Sequence, residues 1–396
     1  MDQPQHAATH ESGTLVTTTH EFRYDPTAPT FQDTLYDDYR WLRDHAPVHH
    51  DPVTGSYVIT RHADVWDAVH DHVRFSSNVA EAQNLLPQMI YVDPPRHTAH
   101  RALVSRAFTP RRVADLEPMV HSIAQELCAG LADRDEIDFQ HEYAALVPST
   151  VASRLIGIPD ELTPEFRRLT ECFLEINDAR EFAGNAGAIY DMFAELLAER
   201  RAAPADDLMS ALIAAEIEDE HLPEDELLGF CMLLILAGND TTSSLIGNGF
   251  VLLGDRADVR AVLAADPSLW GSAVEEMVRL EAPAQTLPRN TTCDVVVHET
   301  TIPTGARVQL VWGSANRDER EFPDPDELRL DREPGRHLSF GHGAHFCLGA
   351  NLARLEARAA FLSFTRTFPD AHGIGAPERV TSTWARAHSR IPVALR

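Results

Sequence analysis

The chain is poor in the features that mark secreted, disulfide-stapled or membrane proteins. It has 5 cysteines scattered along 396 residues, an odd set that argues against a disulfide framework. Residues 1–21 are polar and contain acids, without the basic and apolar blocks of a signal peptide. The longest apolar run, residues 227–238, is too short to cross a bilayer. Basic residues are in deficit, 34 against 61 acids, and the formal net charge of -27 repels nucleic acid and anionic membrane. No Ser/Gly-rich or Pro-rich linker separates independent cores, and no repeat stands out, so the 44.0 kDa chain reads as one large domain. These absences predict a soluble, cytoplasmic, monomeric protein with no nucleic-acid or membrane partner.

What is present is mainly α with small β-sheets. Apolar periodicity predicts helices over 31–45, 61–72, from 93 onward, and near 113–131, 143–156, 164–177, 188–202 and 207–217. A hairpin is predicted over 47–60, about Pro52-Val53-Thr54-Gly55, and β-branched alternation appears at 293–298, 307–312 and the last residues. Residues 1–30 read as an extended arm, and 76–92, lacking a clean period, as a ligand-facing loop.

The longest helix is predicted over 223–253, opening with Pro223 and the acids Glu224, Asp225 and Glu226. It is apolar through Leu236 and then turns polar at Ala237-Gly238-Asn239-Asp240-Thr241-Thr242-Ser243-Ser244. Gly-Asn-Asp is ordinarily a turn signal, so this segment by itself predicts the end of one helix and a new start at a Thr or Ser cap.

The densest chemistry lies in Ser339-Phe340-Gly341-His342-Gly343-Ala344-His345-Phe346-Cys347-Leu348-Gly349. Glycines on both sides of Cys347 let the backbone approach a flat ligand. The helix-forming run 350–360 puts Cys347 at a helix N-terminus, where the dipole and free N–H groups favour a thiolate, and a thiolate is a metal ligand. Cys128, Cys172, Cys231 and Cys293 have no such setting and read as inert thiols.

Phe340, Gly343, Cys347 and Gly349 resemble the haem-binding loop of the cytochrome P450 family, in which the cysteine is the axial iron ligand. The resemblance runs from about residue 31 to 396 and is to the soluble bacterial, actinobacterial-type branch with separate redox partners. It implies a single domain over 31–396, a triangular helix-rich prism around a buried haem b, iron protoporphyrin IX. Asp240 and Thr241 match the acid and alcohol that kink the distal helix beside the oxygen site and manage protons and water there. Glu276-Met277-Val278-Arg279 places an acid and a base at i and i+3, and with Arg332 it matches the family's buried ion-pair network. His97, Arg101, Arg289 and His345 match positions that hold the haem propionates. His337 is open between that role and a structural one.

Positions matching the substrate pocket are Leu85, Leu86, Met89, Ile90, Leu233, Leu236, Ala237, Gln285, Thr286, Leu287, Thr383 and Trp384, mostly apolar. The resemblance thus implies a monooxygenase of secondary metabolism that hydroxylates or epoxidises a medium-sized hydrophobic molecule, such as a terpenoid, steroid, polyketide or aromatic, with O2. Electrons would come from NAD(P)H through ferredoxin reductase and ferredoxin, docking near Arg101, Arg106, Arg111 and Arg112. A peroxide-driven peroxygenase is the nearest alternative, although it would typically replace the pair Asp240 and Thr241. A haem sensor or carrier would need neither a proton relay nor a donor surface. One departure from relatives is His298-Glu299-Thr300, where a glycine is usual.

Overall fold

Each helix forms because one of its faces can be buried. In Phe31–His45, Phe31, Leu35, Tyr39 and Leu42 recur at helical spacing and all turn inward. The computed structural model describes residues 24–396 apart from 29, 80–87, 106–107, 160, 171–178, 206, 215, 218–219, 255 and 334. Most of the predicted arm, Cys172, Arg106 and the pocket candidates Leu85 and Leu86 therefore lie outside the described residues.

The long helix spans Glu224–Gly254 without a break, as predicted over 223–253, although Gly238-Asn239-Asp240 by itself is a turn signal. Burial on nearly every side overrides the local signal, since Leu227, Phe230 and Ile235 belong to one core cluster and Leu245, Ile246 and Leu253 to a second. The polar residues are accommodated inside the helix. The Thr241 hydroxyl donates to the Ala237 carbonyl at 2.6 Å and the Ser244 hydroxyl to the Asp240 carbonyl at 2.7 Å. By length and composition this helix could cross a membrane, unlike the shorter run read from the sequence, yet 67% of its most apolar window is buried within the protein.

Other boundaries shift for local reasons. The segment predicted as 113–131 is two helices, Pro110–Asp115 and Glu117–Gly130, each with a proline in its first turn. A π-helical turn, Gln140–Ala144, precedes Leu146–Ile156. The helix near 207–217 stops at Ile213, and Glu216–Ile217 pairs with Glu220–His221. The strand Thr286–Thr291 was not predicted, because Pro288 in its middle demotes such a run. It is tolerated because Phe75–Ser76 pairs only with Asn290 and Thr291, leaving Pro288 with a neighbour on one side.

The main sheet has the order Val48–His50, Tyr57–Ile59, Arg307–Val311, Thr286–Thr291, Phe75–Ser76. The hairpin Val295–Val297 with Thr300–Ile302 turns at His298, which takes the left-handed φ of 54° that a glycine would adopt freely. His298 Nε2 contacts Asp64 at 2.8 Å and holds the turn against the helix His62–His70.

Two arginine-centred clamps join distant segments. Arg279 forks onto Glu276 at 2.7 and 2.9 Å on the helix Trp270–Leu280, and it also donates to the carbonyls of Asn316, Pro325 and Glu327. Arg332 adds a contact to Glu276 at 3.0 Å. At the other end, Glu281 receives Arg386 and Arg317, while Arg386 and Gln32 tie the first helix to the C-terminal hairpin. Tyr36 lies between those two guanidinium groups, 3.7 and 4.7 Å from its ring centre.

Glu276 and Arg279 are 4% and 2% exposed, so removing either strands a buried charge. Glu276→Ala and Arg279→Ala should each destabilise the fold by about 3–5 kcal/mol, read as insoluble or low-melting protein in thermal denaturation. Wild-type melting in both variants would show that the network carries no such load.

Candidate active site

The cysteine loop is shaped by glycine. Gly341 and Gly343 have φ of 63° and 66°, and a Cβ on Gly343 would lie 2.9 Å from the Val69 carbonyl. The Cys347 N–H donates to the Phe340 carbonyl at 2.8 Å, closing the loop ahead of the helix Ala350–Thr367. Burial pushes the Cys347 thiol up, while the N–H groups of Gly349 and Ala350 and the charges of Arg101 and Arg354 pull it down. The helix-start donors expected from the sequence are therefore present, but in the protein alone they do not outweigh desolvation.

Beside the loop stands a group of cations. His97 and Arg101 share a face of the helix Arg96–Ser105, and the His97 and His345 rings lie 4.1 Å apart. The Nε2 of His97 is buried without a hydrogen-bond partner. Arg289 is 6% exposed; burial lowers its pKa to about 10, with Asp93 the one compensating charge. His345 is lowered to about 3 by burial and by the charges of His97, Arg289 and Arg101. Its Nε2 meets the Ser77 hydroxyl at 3.0 Å, and Ser77 N–H donates to Asp93 at 2.8 Å. Four basic groups thus converge on a region where Asp93 is the compensating carboxylate named for Arg289 and His97. The donor set fits a flat ligand carrying two carboxylates and a metal that takes one sulfur.

On the long helix, Asp240 is buried and accepts from the Asn239 amide at 3.3 Å, whereas Thr241 is half-buried and Ala237 and Gly238 are exposed. Leu233, Leu236, Ile90, Leu287 and Trp384 are only half-buried, and Met89 is buried beside them in sequence on the turn Met89–Tyr91. Thr383 is exposed, and the Trp384 carbonyl accepts the Gln285 N–H at 2.7 Å, docking the hairpin loop against the sheet. Two of the pocket candidates are engaged by neighbours. The Gln285 amide donates to the Ala282 carbonyl at 2.7 Å and packs against Gly313, and the Thr286 hydroxyl meets Gln309 at 3.1 Å.

A model of the Cytochrome P450 family matches residues 269–369. Cytochrome P450 130 of Mycobacterium tuberculosis is 39% identical over 89% of this chain and 92% of its own. The chain belongs to the cytochrome P450 family. Its cofactor is haem b and its activity that of a P450 monooxygenase. Vitamin D(3) 25-hydroxylase of Pseudonocardia autotrophica is 38% identical over 96% of this P450 and 98% of that enzyme. The solved cytochrome P450 CYP109Q5 of Chondromyces apiculatus superposes with a TM-score of 0.88 at 36% identity, covering 94% of this chain and 97% of that one.

The sequence reading missed a second clamp behind the haem loop of this P450. Glu275 accepts from Arg354 at 2.9 Å and contacts His337 Nε2 at 3.0 Å, and the Arg354 guanidinium lies 4.3 Å from the centre of the Phe340 ring. His337 is therefore tied to a carboxylate. The doubled acid Glu275-Glu276 was the available signal, since adjacent residues on a helix face different partners. Ser77 offered none. The expected basic surface is smaller than its sequence cluster, because Arg101 turns inward; among the described residues of that group, Arg111 and Arg112 are exposed.

Desolvation pushes the Glu275 carboxyl up, but hydrogen bonds from His337 and Arg354 win and hold it at about 2. A carboxyl depressed in the folded state adds stability above its unfolded value and loses it as pH falls. Glu275→Gln should therefore cost up to about 3 kcal/mol at pH 7, and the gap to wild type should narrow by about half by pH 3 in urea unfolding. A gap independent of pH would sink this account.

Proposed function

We propose that this P450 is a ferredoxin-dependent monooxygenase of medium-sized hydrophobic molecules, working in the cytoplasm as one catalytic domain over 31–396. The observation that carries the reading is the half-open apolar row Leu233, Leu236 and Ala237 leading to Asp240 and Thr241 on one continuous helix. The relative named vitamin D(3) 25-hydroxylase supports hydroxylation of a small organic substrate.

Cys347 would take the iron through its sulfur, and His97, Arg101, Arg289 and His345 would receive the propionates. Bound there, the haem supplies the activation of O2 for insertion of one oxygen atom into a carbon–hydrogen bond or a double bond. The chain's own part is to hold substrate dry and to deliver protons. Because the Thr241 proton is committed to the Ala237 carbonyl, the lone pairs of its hydroxyl oxygen are free to accept a hydrogen bond on the open side. Asp240, buried one residue earlier, is the carboxylate able to pass protons toward that hydroxyl. Neither group has a use in a haem carrier.

Wild-type protein supplied with ferredoxin, reductase and NAD(P)H should turn over substrate with most electrons appearing in product. Thr241→Ala should still bind substrate and accept electrons but release hydrogen peroxide, cutting product per NAD(P)H severalfold, and Asp240→Asn should slow turnover. Turnover by wild type only with added peroxide would replace this reading by the peroxygenase.

Arg111 and Arg112 stand exposed on a strongly acidic protein, a local attraction for an acidic ferredoxin. Arg111→Glu with Arg112→Glu should slow stopped-flow reduction by ferredoxin and flatten its salt dependence. Unchanged kinetics at low ionic strength would move the donor elsewhere.

A further inference from the structure

One buried donor on the wall of the apolar row has no partner. Gln88, 4% exposed, immediately precedes the turn Met89–Tyr91, and its Nε2 is buried without a hydrogen bond. With Met89, Val92, Leu103, Val104 and Phe230 it lines a cavity of about 20 Å³, room for one oxygen-sized group. The polar groups at the rim are already engaged: Glu226 is taken by Arg96 and by His100, the latter at 3.0 Å. What remains unmet in a largely hydrocarbon cavity is the Gln88 amide nitrogen with its two N–H groups, and leaving such a donor dry is costly.

The cavity's position relates it to the chemistry. Phe230, Leu233, Ala237 and Thr241 follow one another at spacings of three and four, so they share one face of the long helix. At a rise of 1.5 Å per residue, Phe230 lies about 16 Å along the axis from Thr241. The cavity therefore sits at the far end of the stripe whose other end carries the acid–alcohol pair.

We propose that Gln88 determines specificity by donating from Nε2 to a carbonyl or hydroxyl oxygen at the remote end of an elongated apolar substrate, whose oxidised carbon lies about 16 Å away beside Thr241. This rests on the monooxygenase reading and adds to it the placement of the substrate's one polar group. The interaction is worth most because the surroundings exclude water, and it rejects a hydrocarbon of the same length, which would leave the donor unpaired.

The test is a spectral titration with a matched pair, 2-pentadecanone and pentadecane, on wild type, Gln88→Leu and Gln88→Met. Wild type should bind the ketone about tenfold more tightly than the alkane. Gln88→Leu should lose that preference while melting no lower than wild type, since it removes an orphaned donor. Gln88→Met, which fills the same space with no N–H donor, should lose it as well. A preference retained in either variant, or absent from wild type, overturns the proposal, the latter assigning the cavity to a water alone. The carbon monoxide spectrum of each reduced protein is recorded first. Its thiolate-type Soret band separates failure of the Gln88 inference from failure of the haem–thiolate reading on which it stands.

Discussion

A carboxylate can be buried only where several donors converge on it, and Glu276 meets that condition through Arg279, Arg332 and the N–H of Arg329. The same Arg279 holds carbonyls at Asn316, Pro325 and Glu327, so one guanidinium fixes the irregular stretch that delivers the chain to the cysteine loop. Glu275, its neighbour, grips the loop and the following helix through His337 and Arg354. Two adjacent acids on one helix thus set where Cys347 stands.

This architecture depends on arginine in particular. Every one of the 34 basic residues in the chain is arginine, none lysine. A planar fork with five donors can satisfy a carboxylate and several carbonyls at once, as Arg279 and Arg386 do, and it resists deprotonation when buried. Lysine offers a compact ammonium and could not reproduce those contacts.

The site itself is left electrostatically incomplete by the protein. His97 and His345 are held low by burial and by the neighbouring basic groups, and Arg289 and Arg101 by burial, with Asp93 as the compensating carboxylate of Arg289 and His97. Such a cluster costs stability, and anionic groups held there would offset that cost. On the long helix the Thr241 and Ser244 hydroxyls are satisfied by the carbonyls of Ala237 and Asp240.

The sequence by itself determined the family and the helical class, because these rest on short motifs whose spacing is local: Phe340 to Gly349, Glu276 to Arg279, and the apolar periodicity of the helices. It could not supply features decided by what surrounds a segment. Gly238-Asn239-Asp240 by itself reads as a turn, and it is burial between two core clusters that keeps the helix predicted over 223–253 continuous as Glu224–Gly254. Thr286–Thr291 contains a proline, yet it forms a strand because Phe75–Ser76, its neighbour on one side, reaches only Asn290 and Thr291. The hydrogen bonds of Gln285 to Ala282 and of Thr286 to Gln309 likewise appear only in the folded chain. Glu275, Ser77 and the orphaned amide of Gln88 acquire meaning only from residues far away in sequence, and those encounters exist only once the chain has folded.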